Sequence, residues 1–385
     1  MGIPFIDLKK QQARIYEKIV GNIKKVLAHG QYIMGPEIKT LEETLAGYVG
    51  VEDAIACSSG TDALLMALMA YDVGPKDAIF TTPFTFIATA EVIALLGATP
   101  IFVDIDPHTF NIDPNMLELA VKALKQKKSD IYPLPDGYEH LRPKGIIAVD
   151  IFGQPADYNR INSVASANNL FVIEDAAQAF GAEYNGAKAG SLTDIAATSF
   201  FPAKPLGGYG DGGMVFTNSP DLAEKMRSIR IHGKGSYKYD NIRVGINGRL
   251  DTIQAAILLA KFEILPEEIE LRCLVADRYT KFLSSSDKAS PPFVSKEVKS
   301  AWAQYSLLST HRDEIIKTLS ASSIPTAIYY PIPLHMQAAF SRLNYKKGDL
   351  PVSENTCETI FSIPMHPYLD IKDQRHIADI IMNIV

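Results

Sequence analysis

With 385 residues, 47% of them hydrophobic, the chain is long enough to bury a large core and still furnish a second, smaller one. Its formal net charge of -6 removes the broad attraction on which nucleic-acid and anionic-membrane binders depend, so a small-molecule partner is expected instead. Three widely separated cysteines, Cys57, Cys273 and Cys357, match neither a disulfide framework nor a zinc site, and no metal is expected.

The first ten residues, MGIPFIDLKK, hold no apolar secretion core, which suits a protein kept in the cytoplasm. Ile15, Ile19, Ile23 and Val26 then recur at helical spacing and predict an amphipathic first helix. Helical patterns over 61–70, 87–96, 114–125 and 158–168 alternate with β-branched runs over 78–81, 100–103, 145–149, 170–173, 197–200 and 214–217. The most apolar stretch, 78–103, is broken by Pro83, Glu91 and Pro100, so it reads as strand, helix and strand rather than as a membrane span. Residues 126–143, polar and punctuated by Pro133, Pro135, Gly137 and Pro143, predict an exposed insertion loop. The alternation argues for an α/β fold with a mostly parallel central sheet and helices on both faces, where ligands bind at the strand ends. A helical region over 250–283, bent or interrupted at Pro266, leads to a strand over 302–308, a helix over 313–320 and two proline-rich turns. The expected division is a large α/β domain over 1–265 and a smaller C-terminal α+β domain over 266–385.

The window 191–220 carries only three charged residues, Asp194, Lys204 and Asp211, and centres on SFFPAKPLGGYGDGG. Most lysines are surface solubilisers, but Lys204 lies among Phe200, Phe201, Pro202 and Pro205. A poorly hydrated amine has a lowered pKa and can attack a carbonyl as the neutral base, which is what Schiff-base chemistry requires. Gly208, Gly210 and Gly213 formally spell GxGxxG, but the dinucleotide fingerprint should follow a strand and open a helix, whereas a strand-like MVFTN follows here. The glycines instead suit tight backbone turns beside a ligand.

Together with CSSGTDAL (57–64), VIEDAAQAFGA (172–182) and GINGRLDTIQAA (245–256), that motif resembles the sugar-nucleotide aminotransferases of the DegT/DnrJ/EryC1/StrS family, and the likeness runs through nearly the whole chain. The resemblance implies the type I aminotransferase fold, the cofactor pyridoxal 5′-phosphate, and a homodimer with shared active sites. It makes Lys204 the lysine that holds the cofactor as a Schiff base and Asp175 the partner of the ring nitrogen; the bland alternative for Asp175 is a helix cap after its strand. Gln178 resembles the residue that meets the ring's phenolic oxygen, against the alternative of a polar residue on a helix face. Phe86 occupies the family's stacking position, although an aromatic beside a strand is usually core. If the backbone at Asp175 is still extended, Ala177 floors the ring from the same side. Gly60 and Thr61 open a helix whose free N–H groups suit a phosphate, while Ser59 with Asp62 also fits an ordinary capping box. By resemblance Ser199 adds a hydroxyl and Asn247 reaches across from a second subunit.

The implied reaction is a ping-pong transfer from an amino donor, glutamate, to a keto-sugar nucleotide, with C3 of UDP-2-acetamido-2-deoxy-3-oxo-D-glucuronate the expected acceptor, in surface-polysaccharide or O-antigen synthesis. Arg249 is the candidate for the uronate carboxylate, because a guanidinium fork suits it; its alternative is a structural arginine at a helix start. Tyr330 and His335 sit where relatives approach the nucleotide-sugar. Departures from the family pattern fall on the sugar side: the insertion over 126–143, Tyr329 where relatives often have His, and Gly208 and Gly248 where Cys and Ser are common. Another 3- or 4-keto-6-deoxy sugar is therefore an alternative acceptor. A family dehydratase is disfavoured by the retained Lys204, and a regulatory binding protein by the absence of a basic DNA-facing element.

Overall fold

The computed structural model describes residues 2–237 and 239–384. The first nine strands are β1 (Asp53–Cys57), β2 (Asp77–Thr81), β3 (Thr99–Phe102), β4 (Arg142–Val149), β5 (Phe171–Asp175), β6 (Glu183–Tyr184), β7 (Ala187–Lys188), β8 (Ile195–Ser199) and β9 (Gly213–Thr217). All but the β6–β7 hairpin form one seven-stranded sheet in the order β1-β9-β8-β5-β4-β2-β3. Strand β9 runs antiparallel to both neighbours, and the other pairs are parallel. All six strand regions expected from the β-branched runs are present. Strand β1 was not legible, because two of the five residues of DAIAC are alanine and it lacks the usual strand signature.

Helices α1 (Leu8–His29), α2 (Pro36–Val49), α3 (Gly60–Ala70), α4 (Ala88–Leu95), α5 (Pro114–Gln126), α6 (Tyr158–Asn168) and α7 (Pro220–Ile229) precede α8 (Thr252–Phe262) and α9 (Leu265–Leu283). The two-residue period of the strands decides which helix each side chain meets. In β4, Ile146 and Ala148 join the apolar cluster of α5 and α6, while Ile147 between them faces the cluster of α3 and α7. Strand β5 repeats the division with Val172 and Ile173. Helix α1 lays Ile15 and Ile19 on Ile257 and Ala260 of α8, as its periodicity predicts. The break near Pro266 falls just before it: the proline occupies the first turn of α9, where its missing N–H costs nothing.

Strand β10 (Val298–Lys299) pairs with β6 beside the sheet. Strands β11 (Tyr305–Leu308) and β12 (Ile360–Ile363) pair antiparallel, with helices α10 (Arg312–Ala321), α11 (Pro351–Thr359) and α12 (Ile371–Met382) alongside. Helix α9 begins at the expected division yet serves two cores: Leu265 and Ile269 pack under the sheet, while Val275, Tyr279 and Leu283 pack with Leu307, Phe361 and Ile377. A later segment returns to the sheet, where Leu334, Phe340 and Tyr345 are buried beside α5 and α6, and the N–H of Leu334 donates to the Pro83 carbonyl at 2.8 Å. The loop over 126–143 is not simply exposed. Tyr132 is buried and its hydroxyl accepts from the Asp104 N–H at 2.8 Å, and Pro143 already belongs to β4. Ile131, Leu134, Tyr138 and Leu141 pack beside it against the same core, so the loop is pinned by an apolar side of its own. Among the described residues no helix is long and apolar enough to cross a membrane.

Candidate functional site

The carboxyl ends of β5 and β8 and the turn after β1 surround a cavity of about 450 Å³. It is lined by Ser59, Gly60, Thr61, Phe86, Asp175, Ala177, Gln178, Ser199, Lys204 and Tyr330, among others, so ten of the thirteen residues named from sequence converge on it. Strand ends are where an α/β sheet exposes its chemistry.

At one end of the cavity α3 begins. Ser59 is extended, and its hydroxyl accepts from the Asp62 N–H at 3.0 Å, which caps the helix, while the Asp62 carboxylate accepts from the Ser58 hydroxyl rather than closing a capping box. The N–H groups of Gly60 and Thr61 remain in the open first turn, where an anion is favoured by those donors and by the helix dipole. The turn is pressed against β8 and β9: a Cβ on Gly60 would stand 2.7 Å from the Ser199 Cβ, and one on Gly213 would stand 2.3 Å from the Ser59 carbonyl oxygen. Only glycines allow this approach. We expect Gly60→Ala to lower stability by roughly 1–3 kcal/mol through overpacking. It should also weaken protection by inorganic phosphate in thermal unfolding; an unchanged phosphate effect would argue against an anion seat here.

At the other end Asp175 closes β5. It is strand, not a helix cap, and a turn rather than a helix follows, so the bland readings of both Asp175 and Gln178 fall away. The carboxylate is 4% exposed; Oδ2 accepts from the Thr89 hydroxyl at 2.8 Å and Oδ1 from the Ala177 N–H at 3.2 Å. Burial pushes its pKa up, while these bonds and the positive charge of Lys204 oppose that rise. Lys204 follows β8 in a tightly wound turn, its N–H donating to the Phe201 carbonyl at 2.9 Å. Burial lowers the pKa of its amine, only partly offset by Asp175. No hydrogen bond or ion pair among the described residues engages that amine. Gly213 opens strand β9 rather than a helix, which removes the dinucleotide reading of the glycines.

The walls between the two ends are set by neighbouring side chains. Phe84 is fully buried in the core, whereas Phe86, two residues on, is 57% exposed and lines the cavity. Gln178 is fixed from behind: its Oε1 accepts from the Phe152 N–H at 2.8 Å and its Nε2 donates to the Tyr330 hydroxyl at 3.2 Å. Ser199 Oγ accepts from the Phe201 N–H at 3.2 Å.

Three named residues are not among the lining. Asn247 is exposed, and the carbonyl of the next residue, Gly248, accepts from the Ser58 N–H at 3.1 Å. Arg249 is half-buried with its Nε unpartnered among the described residues. His335 is held in the interior by the turn Leu334–Met336, with Nε2 3.1 Å from a Glu354 oxygen and burial lowering its pKa. His335 thus faces Glu354 and does not line this chain's own cavity. Thr85, Thr89 and Gln304 line the cavity without having been named from sequence. The threonines were detectable as two hydroxyls four residues apart in an apolar run; Gln304, whose buried Oε1 has no partner among the described residues, lies too far along the chain for any local pattern to place it.

This donor set fits a cofactor with three features: an aldehyde for the unengaged amine, a basic ring nitrogen for the buried carboxylate, and a phosphate for the first turn of α3. The family model for the DegT/DnrJ/EryC1/StrS aminotransferase family matches residues 13–382. The UDP-2-acetamido-2-deoxy-3-oxo-D-glucuronate aminotransferase of Pseudomonas aeruginosa is 48% identical to this chain over 96% of each. A solved DegT DnrJ EryC1 StrS aminotransferase from Brucella abortus superposes with a TM-score of 0.93 at 48% identity, covering 98% of each chain. NtdA from Bacillus subtilis, solved with bound cofactor PMP, superposes with a TM-score of 0.87 at 28% identity, over all of this chain and 86% of that one.

Proposed function

Because the chain belongs to the DegT/DnrJ/EryC1/StrS aminotransferase family, we propose that it transfers an amino group from glutamate to C3 of UDP-2-acetamido-2-deoxy-3-oxo-D-glucuronate, in surface-polysaccharide or O-antigen synthesis. The chain is a pyridoxal-phosphate-dependent aminotransferase acting on nucleotide-linked sugars. One observation carries the local reading: an unengaged amine, a buried carboxylate and an open helix N-terminus share one cavity. When bound, the cofactor supplies an aldehyde to receive the amino group and a ring to hold the electron pair left as the donor's Cα proton departs.

In this reading Lys204 Nζ takes the Cα proton from the amino donor, which its lowered pKa favours. Asp175 keeps the ring nitrogen protonated, which its bonds from Thr89 and Ala177 support by stabilising the charged carboxylate. Gly60 and Thr61 N–H groups, with the Ser59, Thr61 and Ser199 side chains, seat the phosphate. Phe86 and Ala177 cover the ring faces, and the Gln178 amide meets the ring oxygen. Tyr330 stands beside Gln178 on the sugar side. Asn247 and Arg249, two positions apart and outside this chain's own cavity, complete the cavity of a second copy in a homodimer. The three free cysteines support a reducing cytoplasm.

Incubating the protein with glutamate and a panel of UDP- and dTDP-linked keto-sugars, then weighing the products, tests the acceptor. Arg249→Ala is expected to lower kcat/KM for the uronate by roughly 10- to 100-fold, as loss of a charge-assisted hydrogen bond implies, with neutral sugars unaffected. An unchanged uronate rate would remove Arg249 from the site.

A further inference from the structure

The chain running from β2 into the first turn of α4 places two buried threonines, Thr85 and Thr89, four residues apart at the cavity wall. Their hydroxyl oxygens stand 3.1 Å apart, and the Thr89 oxygen stands 2.8 Å from Asp175 Oδ2. An ionised carboxylate can only accept, so the Thr89 hydrogen is committed to Asp175. Thr85 must then be the donor to Thr89, which makes a directed chain from Thr85 through Thr89 to Asp175. Oδ1 is held separately by the Ala177 N–H. The carboxylate is therefore anchored at both oxygens, from two different elements of the fold.

We propose that Thr89 is a positioning residue for amino transfer: its hydroxyl holds Asp175 ionised and aimed at the cofactor's ring nitrogen, with Thr85 setting the direction of the hydrogen-bond chain. This rests on the reading of Asp175 as the ring-nitrogen partner. The charged groups around Asp175 make such support necessary. Lys204 favours the carboxylate, whose charge in turn raises the pKa values of Glu174, its neighbour in the strand, and of the Tyr158 and Tyr330 hydroxyls. After burial, the Thr89 bond is the largest influence on the carboxyl, ahead of Ala177 and Lys204. Without it, the carboxyl holds its proton to higher pH and loses its attraction for a protonated ring nitrogen.

The test titrates apoprotein with pyridoxal 5′-phosphate by fluorescence and records the pH profile of kcat for wild type, Thr89→Val, Thr89→Ser and Thr85→Val. Thr89→Val is expected to bind roughly 10- to 100-fold more weakly, the loss of one hydrogen bond to a charged group, and to shift the acid limb of the profile to higher pH. Thr89→Ser restores both, and Thr85→Val loses less than tenfold. A purely structural threonine would lower the melting temperature while leaving affinity and acid limb where they were, and that result overturns the proposal. Should Thr89→Val fail to fold, Thr85→Val decides: a measurable loss of affinity supports the chain, and wild-type affinity overturns it. Wild-type protein that takes up no pyridoxal 5′-phosphate sinks the cofactor reading and this inference together.

Discussion

Replacing Lys204 by alanine is expected to cut amino transfer by more than about 10⁴-fold, because nothing else in the cavity can do its work. Among the described lining residues Lys204 is the sole lysine or arginine, and its amine is unengaged by any other described side chain. Burial lowers its pKa below the ordinary 10.5. An amine reacts only when neutral, so the reactive fraction rises as pH climbs through that lowered value and is present at lower pH than for a lysine in water. Lys204→Arg should not restore the reaction, since a guanidinium stays protonated throughout the working range. Product mass from glutamate and keto-sugar, followed over hours, reads the loss. Residual activity above about 1% in the alanine variant would move the proton-transfer role elsewhere.

Asp175→Asn is expected to cost roughly 10²–10³-fold in kcat, the usual loss when one preorganised electrostatic partner is removed. Asparagine nearly matches the shape but carries no charge, and its amide cannot hold a proton on a ring nitrogen opposite. The same change should leave thermal stability equal or improved, because a buried carboxylate whose pKa burial has already raised is costly to keep charged. The opposed signs make the measurement discriminating. A variant that loses melting temperature and activity together would mark Asp175 as a folding residue. Steady-state kinetics beside a thermal melt separates the two.

The parallel sheet could be read from the chain because its strands are covered on both faces and so appear as continuous apolar runs, as in GIIAV of β4. Helix ends were legible wherever a cap or proline announced them: α6 ends where its pattern does, and α5 begins at Pro114 after the Asp113 cap. Lys204 stood out as the single cation of the window 191–220, since a lysine isolated among apolar neighbours marks either an error or a site. What sequence could not supply was orientation across distance. His335 and Tyr330 lie five residues apart in one motif, yet the backbone turns one into the cavity wall and the other toward Glu354. The spacing of Thr85 and Thr89 could draw notice, but the role of Thr89 depends on Asp175, 86 positions away, which no local pattern reveals. Exposure of Phe86 and burial of Phe84 likewise follow from where the chain leaves β2, and residue type alone does not distinguish them.

Helix α9 has a bearing on how substrates enter. A clamshell motion, in which the β11–β12 half swings open like a jaw, would have to bend a continuous rod whose first turns are rooted beneath the sheet and whose last turns are rooted beneath β11 and β12. It would also have to unseat Leu334 from Pro83. Tyr329 and Tyr330 are thus fixtures of the wall, and traffic is left to small movements at the mouth, where Phe86 and Phe201 are the large apolar side chains with room to swing.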